Sequence, residues 1–405
     1  MVEQWGMQLL HGVGRMFLNP LLYWVLILLF IAGARRVKEE RKHFGVKINN
    51  YFKEIRRTFW FSFLFGVMIS IISLSFGFVW TIEFVYLFAI ITIILSITGS
   101  FHLLSPAYTL GFTFFLYMLI PILPLDSVPF LSTFPLFANR EWTMFVGLVA
   151  LLMFIEAFLL MQTKESDLFS RVSLSERGVW LGEQQIKRLL VLPFFLFIPT
   201  QEVTGLEPLI PYFQIGNASF YVTVVPLILG SQLTAVAAPM MTFKKEVIRQ
   251  KLILATIVLA FAIASYFYPV FVLIAMVFAI IGTEWITYRS RLRNRYGTPF
   301  FAPQKRGIRV LTTLPGSRAE ELEIVPGEVI TKVNGIEVTN SQEFYEALQQ
   351  SGAFFKLEVL DHNDEVRFIQ SAFFAKDHHE LGLIFPEAPY NKRVTNLLDE
   401  FVEGN

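Results

Sequence analysis

Few side chains in this sequence could perform acid–base, nucleophilic or metal chemistry, and their spacing fits no common reactive site. The chain contains no cysteine, which excludes disulfides, thiol catalysis and thiolate metal sites. Its six histidines never form the HExxH pattern, in which two histidines on one helical face hold zinc beside a glutamate base. His378-His379-Glu380 has a different spacing, and we interpret it as a solvated loop.

Motifs for other reaction classes are also missing from the sequence. It has no GxSxG nucleophile elbow, no P-loop and no GxGxxG dinucleotide fingerprint. The formal net charge is +1, which gives no reason to expect nucleic acid. The sequence therefore predicts a protein that is not an enzyme, without catalytic residues, metal or cofactor.

The composition divides the chain into a membrane part and a soluble part. Hydrophobic residues make up 54% of the chain and charged residues 17%, against about 45–50% and about 25% in ordinary soluble domains. The apolar excess ends at an arginine cluster, which marks the junction: Arg289, Arg291, Arg293 and Arg295. We predict a multi-span membrane domain at 1–288, a basic juxtamembrane linker at 289–306, a soluble module at 307–387 and a polar C-terminal tail at 388–405.

The membrane part contains apolar runs near the length of about 20 residues that a spanning helix needs. They lie at 17–34, 59–80, 84–97, 108–125, 144–161, 189–198, 220–241 and 252–281. The run 189–198 is short for a span. The run 252–281 is long and has Pro269 at its middle, so we favour two spans in a hairpin. The predicted fold is a polytopic α-helical membrane domain of about 7–9 spans plus a small α+β domain.

Basic residues set the expected orientation, because they collect on the cytoplasmic side of membranes. The basic segments 35–57, 164–188, 244–251 and 289–306 are therefore predicted to be cytoplasmic. The loops near Glu83, Asp126 and 202–207 are then outside. The N-terminus lies outside and the soluble module inside. Glu156 and Glu284 lie near predicted cytoplasmic ends, and we favour a structural role over a substrate path for both.

The soluble module shows alternating strand patterns, turns and one amphipathic helix. Strands are predicted at 307–312, 327–333, 336–338, 353–361, 365–371 and 381–385. Asn334-Gly335 is a strong two-residue hairpin turn, since both residues tolerate positive φ. A helix is predicted at 339–350, where Asn340 or Ser341 can cap the N-terminus. A shorter helix is predicted at 319–323.

This order resembles a bacterial PDZ domain. The matching residues are Val310, Pro315-Gly316-Ser317, Ala319, Gly327-Glu328-Val329-Ile330, Val333-Asn334-Gly335 and the helix from Ser341. The family usually has Gly-Asp where this chain has Gly327-Glu328. No GLGF-like carboxylate loop precedes Gly307. The best candidate for that loop is 380–385, at the other end of the module, which requires a permuted strand order.

The PDZ resemblance implies that a peptide adds to a sheet edge beside the helix, so that backbone amides supply affinity and a pocket selects side chains. The residues of this predicted groove are Leu381, Gly382, Leu383, Ile384 and Phe385 on the edge, with Phe344 and Leu348 on the facing helix. The alternative is that these side chains are core, because a helical apolar stripe is usually packing. For Gly382 we favour a close approach of backbones.

Across nearly its whole length the chain resembles the MinJ family of division-site adaptors from Bacillus-like bacteria. The matching segments are Gln4-Trp5-Gly6, Asn19-Pro20, 35–41, 177–183 and Leu192-Pro193. The resemblance implies a non-enzymatic membrane adaptor that links the polar scaffold DivIVA to the ATPase MinD. It further implies contact with other divisome membrane proteins and the lipid bilayer, and enrichment at poles and septa.

Two other functions stay open on the residues alone. A PDZ-regulated transporter predicts buried charged pairs or broken helices at matching positions in two halves. A regulator of membrane proteolysis would use the module to capture exposed C-termini. The sequence leaves the oligomeric state open.

Overall fold

The computed structural model describes residues 2–46, 48, 53–122, 139–199, 213–215, 218–350, 354–372 and 381–388. Several predictions fall outside these residues. They are the loop around Asp126, the loop 202–207, His378-His379-Glu380 and all of the polar tail beyond residue 388.

The membrane half is built on eight helices within the described residues. They are α1 (Val2–Met16), α2 (Pro20–Phe44), α3 (Lys53–Phe76), α4 (Ile82–Ile97), α5 (Pro106–Leu119), α6 (Asn139–Met161), α7 (Met240–Ser265) and α8 (Val270–Tyr296). Five of them, α2, α3, α6, α7 and α8, are long and apolar enough to cross a membrane in the part of the chain described, whereas α4 and α5 are shorter apolar helices. The predicted count of seven to nine spans is therefore not confirmed.

Local sequence signals explain where these helices begin and end. The Asn19 side chain caps α2 by accepting a hydrogen bond from the amide of Leu21 at 2.9 Å, and Pro20 occupies the first helical turn, where its missing N–H costs nothing. Gly45 ends α2 with φ of 74°. The hairpin predicted within 252–281 is confirmed, since α7 and α8 flank Pro269. Because α8 continues to Tyr296, the arginine cluster lies in its last two turns.

A four-stranded antiparallel sheet lies inside the membrane half. Two runs that the sequence predicted as spanning helices are strands of this sheet. Its strands are β1 (Phe169–Leu174), β2 (Trp180–Pro199), β3 (Phe213–Ile215) and β4 (Ala218–Ala235), in the order β1-β2-β4-β3. The prediction of spanning helices at 189–198 and 220–241 is wrong, because these runs pair with each other from Gln184↔Ala235 to Pro199↔Phe220. The membrane half is therefore not purely α-helical.

Helices pack closely on this sheet because small residues stand at the contacts. A Cβ on Gly66 of α3 would lie 2.4 Å from the Pro193 ring of β2. A Cβ on Gly230 of β4 would lie 2.3 Å from the carbonyl oxygen of Phe101. With both positions glycine, each backbone comes within packing distance of its neighbour. Helices thus cover β2 and β4, which explains why these strands are apolar without alternation.

The described residues of the soluble module form seven short strands and two helices. They are β5 (Ile308–Arg309), β6 (Thr312–Thr313), α9 (Arg318–Glu321), β7 (Val329–Val333), β8 (Ile336–Glu337), α10 (Ser341–Gln349), β9 (Phe354–Leu360), β10 (Val366–Ala372) and β11 (Leu383–Ile384). The main sheet has the order β10-β9-β7-β5, with β8 on β7, and β11 pairs separately with β6. The predicted α+β arrangement of the module is present.

The module's turns and caps form where the sequence predicts them. Asn334 and Gly335 have φ of 50° and 88° and join β7 to β8, as two-residue hairpins require. Asn340 caps α10 by accepting a hydrogen bond from the amide of Glu343 at 2.9 Å. The helix then turns Phe344, Ala347 and Leu348 into the module core, as an amphipathic stripe does.

Candidate peptide-binding groove and module interface

The predicted groove strand lies at the C-terminal end of the module's described chain. Leu383 pairs with Thr313 and Ile384 with Thr312, in antiparallel register. The amide of Leu314 donates to the Gly382 carbonyl at 2.8 Å, and the amide of Ala319 donates to the Leu381 carbonyl at 2.9 Å. At the C-terminal end of the module, β11 thus pairs with β6 in a two-stranded sheet that is separate from the main sheet.

The structure brings the strand and the helix of the predicted groove into direct contact. The rings of Phe344 and Phe385 lie 5.4 Å apart in an edge-to-face arrangement. The hydroxyl of Tyr345 donates to the Leu383 carbonyl at 3.4 Å. The carboxylate of Glu387 accepts a hydrogen bond from the amide of Ser341 at 2.9 Å and therefore holds the start of α10 to the chain that follows β11. Helix α10 and strand β11 are therefore in direct contact.

All the predicted groove side chains other than glycine are buried. Leu381, Leu383 and Phe385 share one core cluster with Phe344 and Leu348. Peptide addition beside α10 therefore requires the helix and β11 to move apart, so that the core side chains are uncovered.

Ile384 faces away from the groove. It belongs to a separate cluster with Val172, Phe301 and Leu311. Val172 is part of β1 in the membrane half, so Ile384 lies between the module and that sheet. Alternation along a strand sends neighbouring side chains to opposite faces. The same short strand thus contributes Leu383 and Phe385 to the module core and Ile384 to the interface between the two halves.

Gly382 lies at a close contact between two chain segments. Its φ is 79°, a backbone region that favours glycine. A Cβ at this position would lie 2.3 Å from the Cβ of Ser317. The contact holds the start of β11 against the turn before α9, which agrees with the close-approach role that the sequence favoured.

The module joins the membrane half through backbone pairing as well as apolar packing. The amide of Gly182 in β2 donates to the Phe301 carbonyl at 2.9 Å, and the amide of Phe300 donates to the Val236 carbonyl at 2.8 Å. A cavity of about 480 Å³ lies beside this junction, lined by Gln184 and Met240 on one side and by Arg309 and His362 on the other. The guanidinium of Arg309 stacks 4.1 Å from the Phe300 ring centroid, and burial lowers the pKa of Arg309.

The carboxylate of Glu156 in the membrane half is buried beside a cationic partner. Glu156 is 2% exposed, and its carboxylate contacts Lys251 at 2.5 Å and accepts a hydrogen bond from Ser105 at 2.7 Å. Glu284 accepts a hydrogen bond from Tyr108 at 2.6 Å. Glu156 is buried, unlike the near-surface position that the sequence predicted. Its partners support the structural role over a substrate path.

The arrangement offers backbone and apolar surface for recognition. Within the described residues, no group of three or more histidine, aspartate or glutamate side chains could hold a metal ion. Sequence reasoning missed Tyr345, Ser317 and Glu387 as the residues that hold β11 in place. Their contacts join positions 38 to 65 residues apart along the chain, so only the position of Tyr345 beside Phe344 could have suggested its role.

Comparisons with known proteins show similarity to proteins named for a role in cell division. No protein-family model matches the chain. It is 29% identical over 385 residues to the cell division topological determinant MinJ of Bacillus subtilis (strain 168), covering 95% of this chain and 96% of the relative. A probable cell division topological determinant MinJ from Lacticaseibacillus paracasei is 34% identical over 82 residues, covering 20% of this chain and 22% of the relative.

Among solved structures, the PDZ domain of the SdrC-like protein from Listeria monocytogenes matches 20% of this chain and 90% of that domain, at 21% identity and a TM-score of 0.18. In its own strand order and helix placement the module resembles a PDZ domain. The similarity to the B. subtilis protein extends through both halves. The similarity predicted from the sequence is confirmed: over 95% of its length this chain is similar to the cell division topological determinant MinJ of B. subtilis.

Proposed function

We propose that this chain is a non-enzymatic membrane adaptor for placing the cell-division site. The observation that carries the proposal is the similarity over 95% of the chain to a protein named a cell division topological determinant. It covers the apolar helices and the PDZ-like module together, so both parts of the architecture are shared. We further propose that the chain links a DivIVA-like polar scaffold to a MinD-like ATPase.

The membrane half acts in this proposal as an anchor and concentrator. Five candidate spans hold the module at the bilayer, which we propose to be the cell membrane, with the module on the cytoplasmic side. Tethering several weak contacts to one membrane patch raises their effective concentration, so no single partner contact must be tight. Other divisome membrane proteins can then join through the same patch.

The PDZ-like module supplies the partner contact in this proposal. We propose that an extended segment of the partner pairs with β11 after α10 has moved aside, exposing Leu383, Phe385, Phe344 and Leu348. The module core makes this opening costly. The partner therefore binds only the minor open state of the module. The apparent affinity equals the affinity of the open module multiplied by the fraction of modules that are open.

Live-cell imaging of a full-length fluorescent fusion tests the adaptor. Enrichment at septa and poles that becomes a uniform membrane signal without the polar scaffold is the expected result. A uniform membrane signal in both strains would contradict the proposal and favour transport or control of proteolysis. A second experiment identifies the partners that the full-length protein captures. Recovery of a division protein supports the adaptor, and recovery of a membrane protease supports the regulator of proteolysis.

A further inference from the structure

A small cavity of about 150 Å³ lies where the apolar part of α2 gives way to the basic segment 35–57. It is enclosed by α2, by the turn that follows α4 and by strands β1 and β2 of the sheet. Three cationic side chains line it, those of Arg35, Arg36 and Lys187, together with one carboxylate, that of Glu39. Positive charge thus faces a space at the expected cytoplasmic boundary of the membrane, where anionic headgroups attract basic residues.

The three cationic groups are positioned by their neighbours and stay accessible. The guanidinium of Arg36 lies 5.6 Å from the centroid of the Phe169 ring, and the ammonium of Lys187 lies 5.9 Å from the same centroid. A Cβ on Gly99 would lie 2.6 Å from Nη1 of Arg35, so that guanidinium packs against the turn after α4. Arg35 is exposed, Lys187 is half-buried and the Arg36 side chain is 17% exposed. Helix α2 and strand β2 therefore hold three cations around one open space.

Positive charge exceeds negative charge around this cavity. Glu39 supplies the one carboxylate among the lining residues. The Glu40 carboxylate is buried behind them, where it lies 3.6 Å from Nε of Arg36 and accepts a hydrogen bond from the amide of Ile48 at 2.9 Å. The three cations therefore outnumber the two carboxylates by one charge. A phosphodiester carries one negative charge and would balance this excess, and guanidinium N–H groups match the oxygens of a phosphate.

An exposed apolar stripe on α2 leads to these cations. Ile27 and Ile31 are 48% and 37% exposed, and Arg35 follows Ile31 by four residues, so all three share one helix face. Ile31 also lines the cavity, beside Ala32. Because α2 is a candidate membrane span, this stripe is placed to contact lipid tails. The cavity is smaller than the range of about 300–1,000 Å³ in which ligands are enclosed, so it accommodates a headgroup whose tail lies outside, along the stripe.

We propose that this cavity binds the phosphodiester of an anionic phospholipid, with one acyl chain of that lipid along Ile27 and Ile31. Arg35 contacts the phosphate from α2, and Lys187 faces it from β2. A zwitterionic lipid fits less well, because its own cation brings a further positive charge to a site that already has an excess. The inference rests on the placement of α2 across a membrane and is independent of the adaptor role.

A lipid titration of the purified full-length protein in nonionic detergent tests the proposal. Native mass spectrometry records the fraction of protein that carries one lipid, for dioleoyl phosphatidylglycerol and for dioleoyl phosphatidylcholine. The anionic lipid is expected to bind more tightly, and added salt should weaken its binding because salt screens accessible charges. Inorganic phosphate at the same concentration as the lipid should not displace it, since free phosphate makes no contact with the apolar stripe.

Arginine variants make the test specific to this cavity. Arg35→Gln is expected to weaken phosphatidylglycerol binding about fivefold, the effect of one basic residue beside anionic lipid. Arg35→Lys keeps the charge and should retain most of the binding. Arg289→Gln is the matched control and should bind like wild type, because Arg289 is also exposed in the C-terminal part of a candidate span but does not line the cavity. Circular dichroism and gel filtration verify that each variant is folded.

Four results would overturn the proposal. They are equal affinity of the wild type for the two lipids, equal affinity of the wild type and Arg35→Gln for phosphatidylglycerol, the same loss in Arg289→Gln as in Arg35→Gln, and displacement of the lipid by inorganic phosphate, which would assign the cavity to a free anion. None of them bears on septal localisation, so failure here and failure of the adaptor proposal are distinguishable.

Discussion

The hydroxyl of Tyr345 lies 3.4 Å from the carbonyl oxygen of Leu383, and it connects helix α10 to strand β11. The contact crosses the place where a PDZ-like module would take up a peptide. Together with the Phe344–Phe385 ring contact, it keeps the predicted groove closed. The proposed partner binding would therefore compete with the module's own packing.

Tyr345→Phe is expected to loosen β11 without emptying the core, because it removes only the hydroxyl. A hydrogen bond of this kind contributes about 0.5–1.5 kcal/mol, so amide exchange in β11 should accelerate by about two- to tenfold. Hydrogen–deuterium exchange of the full-length protein in detergent measures this. Tyr296→Phe, at an exposed position of α8, is the control and should change nothing in β11. Unchanged exchange in Tyr345→Phe would show that the hydroxyl does not restrain the strand.

Leu383→Asp is a poor test of the groove, because Leu383 is 5% exposed and belongs to the module core. A buried aspartate without a partner costs several kcal/mol or forces local unfolding. The variant is expected to lose module structure along with any partner binding. Conservative changes at Tyr345 are therefore the better tests of recognition.

Ile384→Ala should weaken the docking of the module on the membrane half. Ile384 is 9% exposed between β1 and the module, and truncating a buried isoleucine costs about 2–5 kcal/mol. The amide of Gly182, which donates to Phe301, should then exchange faster. Ile336→Ala is the matched control at a position 47% exposed. Equal protection of Gly182 in both variants would argue against docking through Ile384.

Lys251→Met should destabilise the membrane half strongly, because it leaves the Glu156 carboxylate buried without its cation. Removing one partner of a buried pair costs about 3–5 kcal/mol. Glu156→Gln combined with Lys251→Met should recover much of the loss. Thermal unfolding in detergent measures both.

Arg295→Met is the control for this charge pair. Its contact with Glu176 is 3.9 Å long, and the two side chains are 71% and 91% exposed. Exposed pairs contribute about 0–1 kcal/mol, so this variant should behave like wild type. Equal unfolding temperatures for Lys251→Met and Arg295→Met would contradict a structural role for the buried pair.

The β9–β10 hairpin should lose stability in acid through Asp361. Hydrogen bonds from the backbone amides of Glu365 and Asn363 hold the pKa of Asp361 below its ordinary value of 3.8. The folded state therefore favours the charged form. The resulting stability is fully present above the ordinary pKa and is lost as pH falls through the lower folded value. Thermal unfolding followed from about pH 6 down to about pH 2 should show this loss in the wild type, beginning near the ordinary pKa.

Asp361→Asn is the control for the acid effect, because the amide cannot titrate. The difference in stability between wild type and Asp361→Asn should be largest near neutral pH and should shrink in acid. A difference that stays constant with pH would show that the charge of Asp361 does not stabilise the turn.

Local sequence patterns predicted most of the module. The Asn334-Gly335 turn, the cap at Asn340 and the alternation along β9 each act over a few residues, so their physical signal is present in the sequence itself. The two-helix hairpin at Pro269 was predictable for the same reason, since proline interrupts a helix wherever it stands in the interior. The strand and the helix of the candidate groove were predicted for the same reason, because both are local elements. That a peptide binds between them stays a prediction.

The tertiary structure alone decided the nature of 189–198 and 220–241. Both runs are apolar on every face, and the periodicity of such a short run does not distinguish a helix from a strand. Their pairing, from Gln184↔Ala235 to Pro199↔Phe220, is a contact between distant segments that no local period encodes. Strand β11 contributes Leu383 to the module core and Ile384 to the interface with the membrane half. Both contacts also depend on packing between segments that are distant in the sequence. The sequence by itself determined an apolar membrane half followed by a PDZ-like module. The tertiary structure decided which strands pair and which buried contacts join the two parts.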